Sequence, residues 1–462
     1  MGKGRNGPRC RSKSQEWPRL SHISGRCRRL SVSVGSRERE SLLPTLGRRG
    51  TRYVVFFCAY LYQGLVAGFS LTALANHYAG LGLPASEVGL HFAIAGLPWT
   101  LQPLLWGALI DRAGGARMGR RRIWAACAAL GAQASLGLLW FVSKPDALGW
   151  VGLVFLLHSL FASLLDTACD RMIMDHVPEA EFGRMSGCTR GGFVIGTSLS
   201  AALFSTLLTS VSFFVCSALL IGLSSLALVP LILVREAAGD ALFSLASRAG
   251  AAPSALPFRA FLVQLVAGLR RPTALRLLAL CFCVDFALSL FEVRFNVEAV
   301  QVHGWDPSAL SRLQAGLALV SGTVGALGIG LWSDRAGPLP ALTGLFLAGA
   351  ASFGAAAILI RADHVTTAVP LILGLTNTLP TLLVVALVPA LMRASRGRPG
   401  AATQFEVFMA VMNFGSVVGG GVSGASTSIL SGGSIAMFVA LLFLICAASI
   451  QRPDWLFEAS RR

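Results

Sequence analysis

The feature that most constrains this sequence is a series of long apolar segments separated by short polar ones. A helix that crosses the roughly 30 Å hydrocarbon core of a membrane needs about 20 mostly apolar residues. Twelve segments meet this requirement, at 53–80, 87–110, 123–143, 148–169, 187–208, 211–234, 274–302, 308–333, 339–361, 365–391, 402–428 and 432–450. The sequence therefore predicts an all-α integral membrane protein with twelve transmembrane helices.

The composition supports this class and argues against several others. Of the 462 residues, 54% are hydrophobic and 13% are charged, and the charged fraction is about half of the roughly 25% usual in soluble proteins. Such a chain cannot cover a water-facing surface with polar groups, so a soluble enzyme, a disordered protein and a disulfide scaffold are disfavoured. The ten cysteines lack CxxC spacing, and no nucleotide-binding or Ser/His/Asp motif is present. We therefore expect no enzymatic activity, cofactor or metal.

The longest polar interruption, 235–272, divides the apolar segments into two groups of six. We predict an N-terminal six-helix half over 53–234, a cytoplasmic linker, and a C-terminal six-helix half over 273–450. The segment 1–52 is basic and lacks the apolar core of a signal peptide, so we predict a disordered cytoplasmic tail there. A second short tail follows at 451–462.

The net charge is +17, and the positions of the basic residues indicate how the chain is oriented in the membrane. Lys and Arg concentrate in the cytoplasmic loops of membrane proteins, and 34 of the 39 basic residues fall in the tails, the linker and the loops after even-numbered segments. We therefore expect both termini in the cytoplasm and a location in the cell inner (cytoplasmic) membrane. The charge then contacts the lipid bilayer rather than nucleic acid. A monomer is expected.

An internal repeat connects the two halves. The pattern G-x-x-x-D-R-A-G occurs at Gly107–Gly114 and again at Gly330–Gly337, displaced by 223 residues. Each copy ends the second segment of its half, as in a duplicated transporter. Glycine permits close helix approach, and aspartate at a helix end can cap a neighbouring helix or hold a basic loop. One copy alone would also fit an ordinary turn with flanking arginines, but two copies in register predict a cytoplasmic gate.

The predicted gate combines the repeats, the basic loop after the first copy, the acids of the fourth segment and the start of the eleventh. Its residues are Gly107, Asp111, Arg112, Gly119, Arg120, Arg121, Arg122, Asp166, Asp170, Asp175, Gly330, Asp334, Arg335 and Gln404. Asp166 and Asp170 lie near the cytoplasmic end of their segment, so we expect ion pairs with the loop arginines in preference to a solute site.

The seventh segment is unusually rich in charge for a membrane span. Asp285 lies near mid-depth, and Glu292 lies seven residues, or about two helical turns, further out, with Asn296 nearby on the same face. Intramembrane carboxylates normally face a bundle interior or a wet cavity, so both are candidate proton carriers or solute contacts. Pairing of Arg294 with Glu298 or Glu292 is the structural alternative. Other polar side chains that could contact a solute or link helices are Gln63, Gln102, Asn377 and Asn413.

Three stretches carry a family resemblance. They are Leu97-Pro98-Trp99-Thr100-Leu101 through Ile110-Asp111-Arg112 to Gly119-Arg120-Arg121-Arg122, then Asp166, Asp170 and Asp175 before Val177-Pro178 and Glu181, and Ala402-Thr403-Gln404-Phe405. In these stretches the chain resembles the major facilitator superfamily and, within it, the AmpG-like muropeptide permeases and their acetyl-CoA transporter relatives. Leu165 stands where that group often has glutamine, and its Tyr–Arg pair on the fifth helix has no clear counterpart here.

The resemblance implies a major facilitator fold, in which two six-helix halves rock about a central cavity. It implies secondary active transport by alternating access, with proton-coupled uptake of a hydrophilic solute such as a muropeptide. The expected partners are therefore a small-molecule solute and a proton or another cation. Transport of a siderophore, acetyl-CoA or a sugar with a cation stays open, as does a non-transporting role in membrane assembly.

Overall fold

The computed structural model describes residues 44–81, 96–112, 114–142, 148–246, 257–301, 304, 307–362, 365–425 and 430–451. Most of both predicted tails lies outside the described residues. Within the described part the chain is almost entirely helical, and its β-structure is limited to two isolated bridges. The predicted all-α fold is therefore confirmed.

Twelve helices, labelled α1–α12 in chain order, correspond to the twelve predicted segments in the described part of the chain. They are α1 Arg49–Gly80, α2 at 96–112, α3 Arg122–Phe141, α4 Leu148–His176, α5 Phe182–Ser210, α6 Phe213–Leu233, α7 Pro272–Gln301, α8 Pro307–Ala336, α9 Pro338–Arg361, α10 Val365–Ser395, α11 Ala401–Ala425 and α12 Gly432–Ile450. Within the described residues, eleven are long and apolar enough to span a membrane. For α2, part of the predicted segment lies outside the described residues.

Apolar side chains fill the inside of the bundle and also cover its outside. A single large cluster of buried apolar residues runs through both halves. On the outer surface Leu104, Val324 and Val417 are more than 70% exposed. Apolar side chains on both the inside and the outside are expected of helices that pack together within lipid.

The first and fifth helices of each half pack closely, α1 against α5 and α7 against α11. Glycines permit this approach. A Cβ at Gly64 or Gly68 would lie within 2.3 Å of a carbonyl oxygen of α5, and one at Gly415 or Gly419 would lie 2.4 Å from a carbonyl oxygen of α7. Between the halves, α5 packs against α8 and α10, and α2 packs against α11. These contacts set the walls of the space between the halves.

Several boundaries differ from those predicted. α4 continues to His176 rather than 169, and α5 begins at Phe182 rather than 187. α1 begins at Arg49 rather than 53. The linker contains a helix at Phe258–Leu269, called the linker helix, whose 12 residues are too few for the transmembrane length criterion. The earlier start of α5 brings Arg184 into the helix and places Arg190 two turns inside it instead of in its first turn, with consequences for the site.

Candidate functional site

A cavity of about 370 Å³ lies between the two halves. Helices α1, α2, α4 and α5 contribute its lining from the N-terminal half, and α10 and α11 contribute from the C-terminal half. Phe155, Phe193 and Val388 are among its apolar lining residues, while Asp170 and Arg190 add opposite charges. A largely apolar cavity with a few convergent polar groups is typical of a small-molecule binding site.

Two glutamines hold Asp166 on the wall of this cavity. Gln63 Nε2 donates a hydrogen bond of 3.1 Å to Asp166 Oδ1, and Gln102 Nε2 donates one of 3.1 Å to Asp166 Oδ2. Gln102 also donates to the hydroxyl of Thr167 at 3.0 Å. One turn further along α4, Asp170 Oδ1 accepts a hydrogen bond from the Tyr60 hydroxyl. Helices α1, α2 and α4 therefore converge on one polar cluster.

The partners of Asp166 and Asp170 differ from those predicted. Among the described residues, the expected ion pairs with loop arginines are not formed, because α4 continues past both aspartates to His176 and leaves them inside the bundle. Asp175, one turn nearer the helix end, has the arginine partners instead. A gate role for Asp166 and Asp170 stays a prediction, and their position on the cavity wall also makes them candidate solute contacts.

Glu406 of α11 completes this cluster from the other half. Its side chain is buried, and carboxylate oxygens of Asp166, Asp170 and Glu406 all lie within 4.8 Å of one another. The sequence places Glu406 at the inner start of helix eleven but does not predict its proximity to the two aspartates. Only the crossing of α4 and α11 brings it to the two aspartates.

Arg190 is a second residue that sequence reasoning missed. It lies near the start of the predicted fifth segment, 187–208, and is grouped with the cytoplasmic loop charges, but in the structure it lies two turns inside α5 and lines the cavity. Its guanidinium stacks on Phe193 at 5.4 Å and interacts electrostatically with Asp285 of α7, from the other half. A signal was present: Gly183, Gly187 and Gly191 have the four-residue spacing of a packed helix, beginning before 187.

The other predicted solute contacts are dispersed. Glu292 is partly buried in α7 and interacts electrostatically with Asp285. The amide of Asn377 donates to Leu373 O at 2.9 Å within its own helix. Asn413 is exposed on α11, and the side chain of Asn296 lies outside the described residues. Gln63 and Gln102 are therefore the only members of the predicted amide set that the described residues place at the cavity cluster.

The first copy of the repeat joins α2 to the start of α11. Asp111 accepts hydrogen bonds from the main-chain N–H groups of Ala402 at 3.2 Å and Thr403 at 2.9 Å, and from the Thr403 hydroxyl at 2.9 Å. A Cβ at Gly107 would lie 2.7 Å from Thr403 Cα, so glycine is required for this approach. An N-terminal half residue thus caps a helix of the C-terminal half.

The second copy makes the reverse connection. Asp334 accepts hydrogen bonds from the N–H groups of Gly183 at 2.7 Å and Arg184 at 3.1 Å, and from the Arg184 side chain. A Cβ at Gly330 would lie 2.5 Å from Gly183 O. A C-terminal half residue thus caps α5 of the N-terminal half. We call the end of the bundle that carries both caps the gate face.

The basic loop reinforces the gate face around Asp111. Arg121 donates to Ile110 O and forms an ion pair with Asp175 at 3.4 Å. Arg171 pairs with Asp175 at 3.1 Å and reaches Asp111 at 4.0 Å. These charge-assisted contacts link the ends of α2 and α4.

Glu236, just after α6, anchors the same loop. Its carboxylate accepts hydrogen bonds from the N–H groups of Arg121 at 2.8 Å and Arg122 at 3.0 Å and contacts His176 at 3.4 Å. Burial raises the pKa of Glu236, but the hydrogen bonds from His176, Arg122 and Arg121 outweigh it and hold that pKa below its usual range. Gly119, at φ +111°, approaches this carboxylate so closely that a Cβ would lie 2.4 Å from Oε2.

The remaining predicted gate residues lie at the same end of the bundle. Arg112 stacks on Phe258 of the linker helix at 5.1 Å. Gln404 is buried in α11. Arg120 and Arg335 are exposed. Asp111, Arg121 and Asp175 thus form one network, which includes the main chain of Arg121 and Arg122. Asp334 forms a separate contact with the start of α5.

A helical bundle of two halves, with a cavity that contains a few convergent polar groups between them and reciprocal caps at one end, has the architecture of a membrane transporter. Residues 53–405 match the sequence profile of the Major Facilitator Superfamily. The chain belongs to this family. No curated protein matches the sequence significantly.

Solved structures agree with the family. The human organic anion transporter MFSD10 (TETRAN) is 16% identical, over 90% of this chain and 99% of its own, with a TM-score of 0.63. A variant of the E. coli fucose:proton symporter FucP is 13% identical, over 87% and 98%, with a TM-score of 0.63. A bacterial homologue of the iron transporter ferroportin, in an outward-facing state, is 11% identical, over 87% and 97%, with a TM-score of 0.56. At these identities the likeness shows the fold alone.

Proposed function

We propose that this protein is a secondary active transporter that moves a hydrophilic solute across the membrane by alternating access, coupled to protons. The observation that carries the proposal is the pair of reciprocal caps. Asp111 and Asp334 each join a helix of one half to a helix of the other at the same end of the cavity. Contacts of this kind close one end of a cavity and must break when the halves rock.

The gate face is the cytoplasmic face in this proposal. The arginine-rich loops and the linker lie there, and basic residues mark the cytoplasmic side of membrane proteins. Both termini are then cytoplasmic, in a cell inner membrane. Because the caps hold the gate face together, we infer that solute and protons enter from the opposite side in this state.

Asp285 is the proposed proton carrier, with Glu292 as a second candidate further along α7. Asp285 of the C-terminal half and Arg190 of the N-terminal half attract one another across the space between the halves. A proton on Asp285 removes that attraction and releases Arg190. Proton uptake would therefore change the force that holds the halves in register.

A muropeptide is the proposed solute. Such a molecule carries sugar hydroxyls and carboxylates, and the cavity offers Arg190 for the carboxylates. The three sequence stretches that resemble the AmpG-like group support the same solute. Siderophore, acetyl-CoA and sugar substrates are the alternatives within the same fold.

Counterflow into proteoliposomes tests the proposal. Vesicles containing the purified protein are loaded with a muropeptide, a sugar or a siderophore, and entry of the labelled solute is followed with and without an imposed pH gradient. We expect counterflow of muropeptides and uphill accumulation only with the gradient. Collapse of the gradient by a protonophore is the matched control. Absence of counterflow for every solute would favour the assembly role instead.

A further inference from the structure

The cluster of Asp166, Asp170 and Glu406 has a feature that transport of a solute does not explain. Two of the acids belong to α4 of the N-terminal half and the third belongs to α11 of the C-terminal half. Their carboxylate oxygens lie within 4.8 Å of one another. Like charges at this spacing in a low-dielectric interior repel each other strongly.

The protein surrounds the two aspartates with donors. Gln63 and Gln102 donate to the two oxygens of Asp166, and Tyr60 donates to Asp170. Each carboxylate oxygen has lone pairs beyond the one used by its donor. These bonds therefore fix the orientation of the aspartates and leave acceptor capacity for a further ligand.

No positive group of the described chain compensates the cluster. Within the described ranges, no Lys, Arg or His nitrogen forms an ion pair with these three carboxylates. Glu406 is only 2% exposed, and its Oε1 has no hydrogen-bond partner. A buried, unsatisfied carboxylate oxygen is costly, and a bound ion or water is a common explanation.

We propose that this cluster, the α4–α11 acid site, binds a hard metal cation of the size of Ca²⁺ or Na⁺. Carboxylates are the ligands that hard cations prefer, and Ca²⁺ takes oxygens at about 2.3–2.6 Å. Oxygens within 4.8 Å of one another can share one ion at about that distance. Mg²⁺ binds at about 2.0–2.1 Å in strict octahedral geometry and needs a tighter site. Asp166 and Asp170 line the cavity, which supplies the route of entry.

A cation in this site ties α4 of one half to α11 of the other. Glu406 is three residues from Thr403, the residue that Asp111 caps, so the site and the cap act on the same end of α11. Cation binding therefore favours the arrangement in which the gate face is held together. The inference depends on the site itself and does not require that a particular solute is transported.

Thermal unfolding of the purified full-length protein in detergent tests the proposal. The melting temperature is measured in CaCl2, NaCl, MgCl2 and choline chloride at fixed pH and ionic strength. We expect a saturable rise of about 2–5 °C with Ca²⁺ or Na⁺, a smaller one with Mg²⁺ and none with choline. Glu406→Gln and Asp170→Asn, which change opposite halves of the site, should each abolish the rise. Glu179→Gln, an exposed acid at the gate face, is the matched control and should retain it.

Two results would overturn the proposal. One is a wild-type protein whose melting temperature no metal cation raises, since the cluster would then hold protons instead of a metal ion. The other is an undiminished rise in both site variants, which would place the cation elsewhere. Glu406→Asp keeps the charge and is used in place of Glu406→Gln if that variant does not fold; it should retain a rise at higher cation concentration.

Discussion

Asp111 and Asp334 each cap the start of a helix in the opposite half of the molecule, Asp111 on α11 and Asp334 on α5. Each aspartate accepts from two consecutive main-chain N–H groups. Each follows a glycine, four residues earlier, on which the capped helix packs. The two copies of the repeat therefore form equivalent caps between the halves, in opposite directions, at one end of the bundle.

Substitution of either aspartate by asparagine should loosen the gate face. Asparagine replaces one acceptor oxygen by an amino group, so one capped N–H loses its partner at a cost of about 1–3 kcal/mol. In a variant without native cysteines, Met392→Cys at the cavity lining would report access from the gate face. We expect its alkylation rate by an impermeant maleimide to rise roughly 5- to 150-fold in Asp111→Asn or Asp334→Asn.

Arg335→Gln, which changes an exposed neighbour of Asp334, is the control for this experiment. Its alkylation rate should stay close to that of the parent. An equal increase in all three variants would mean that charge at the gate face, rather than capping, controls access.

Alanine at Gly330 should prevent close contact of α8 with α5. The new Cβ would meet Gly183 O at 2.5 Å, and overpacking of this kind costs about 1–3 kcal/mol. Gly328→Ala is the matched control on the same helix, because nothing lies within 4 Å of a Cβ there. We expect a lower melting temperature for Gly330→Ala and an unchanged or higher one for Gly328→Ala. Equal melting temperatures would contradict the packing described here.

The contribution of Glu236 to stability should depend on pH. Because the folded-state pKa of Glu236 is below its usual range, the stabilisation is complete above the unfolded-state value of about 4.3. It is lost as pH falls through the lower folded-state value. Glu236→Gln should therefore melt several degrees lower than wild type at pH 7, with a difference that shrinks below about pH 4. A difference that is constant with pH would exclude the ionised form as the stabilising one.

Asp285→Asn should separate proton coupling from solute exchange. The amide cannot carry a proton between the two sides but keeps the shape of the side chain, so counterflow should persist while accumulation driven by a pH gradient is lost. Glu292→Gln shows whether the second acid contributes. Undiminished uphill accumulation in Asp285→Asn would show that Asp285 does not carry the coupled proton.

The fold follows from the sequence because the length of an apolar segment is a local property. Segments of about 20 apolar residues predict membrane helices without knowledge of their neighbours. The repeat likewise indicates that Asp111 and Asp334 have a shared role. The helix that each aspartate caps depends on how the two halves pack, and the pattern of residue types along one sequence does not predict that packing.

The cavity residues show where sequence reasoning fails. Arg190 is grouped with the loop charges because it lies within one turn of the predicted start of α5 at 187, whereas small residues extend the helix back to Phe182. Glu406 and Asp166 are 240 positions apart and meet only through the crossing of α4 and α11. Both errors concern charged residues in a membrane helix, where tertiary contacts override the local preference for apolar residues.

Distance measurement across the gate face tests the central claim most directly. Spin labels at Arg120→Cys and Arg335→Cys, one on each half and both exposed, would report the separation of the halves in lipid nanodiscs. We expect the parent protein to populate a short and a long distance, and Asp111→Asn combined with Asp334→Asn to shift the population towards the long one. A single distance that is the same with and without the two aspartates would contradict alternating access controlled by these caps.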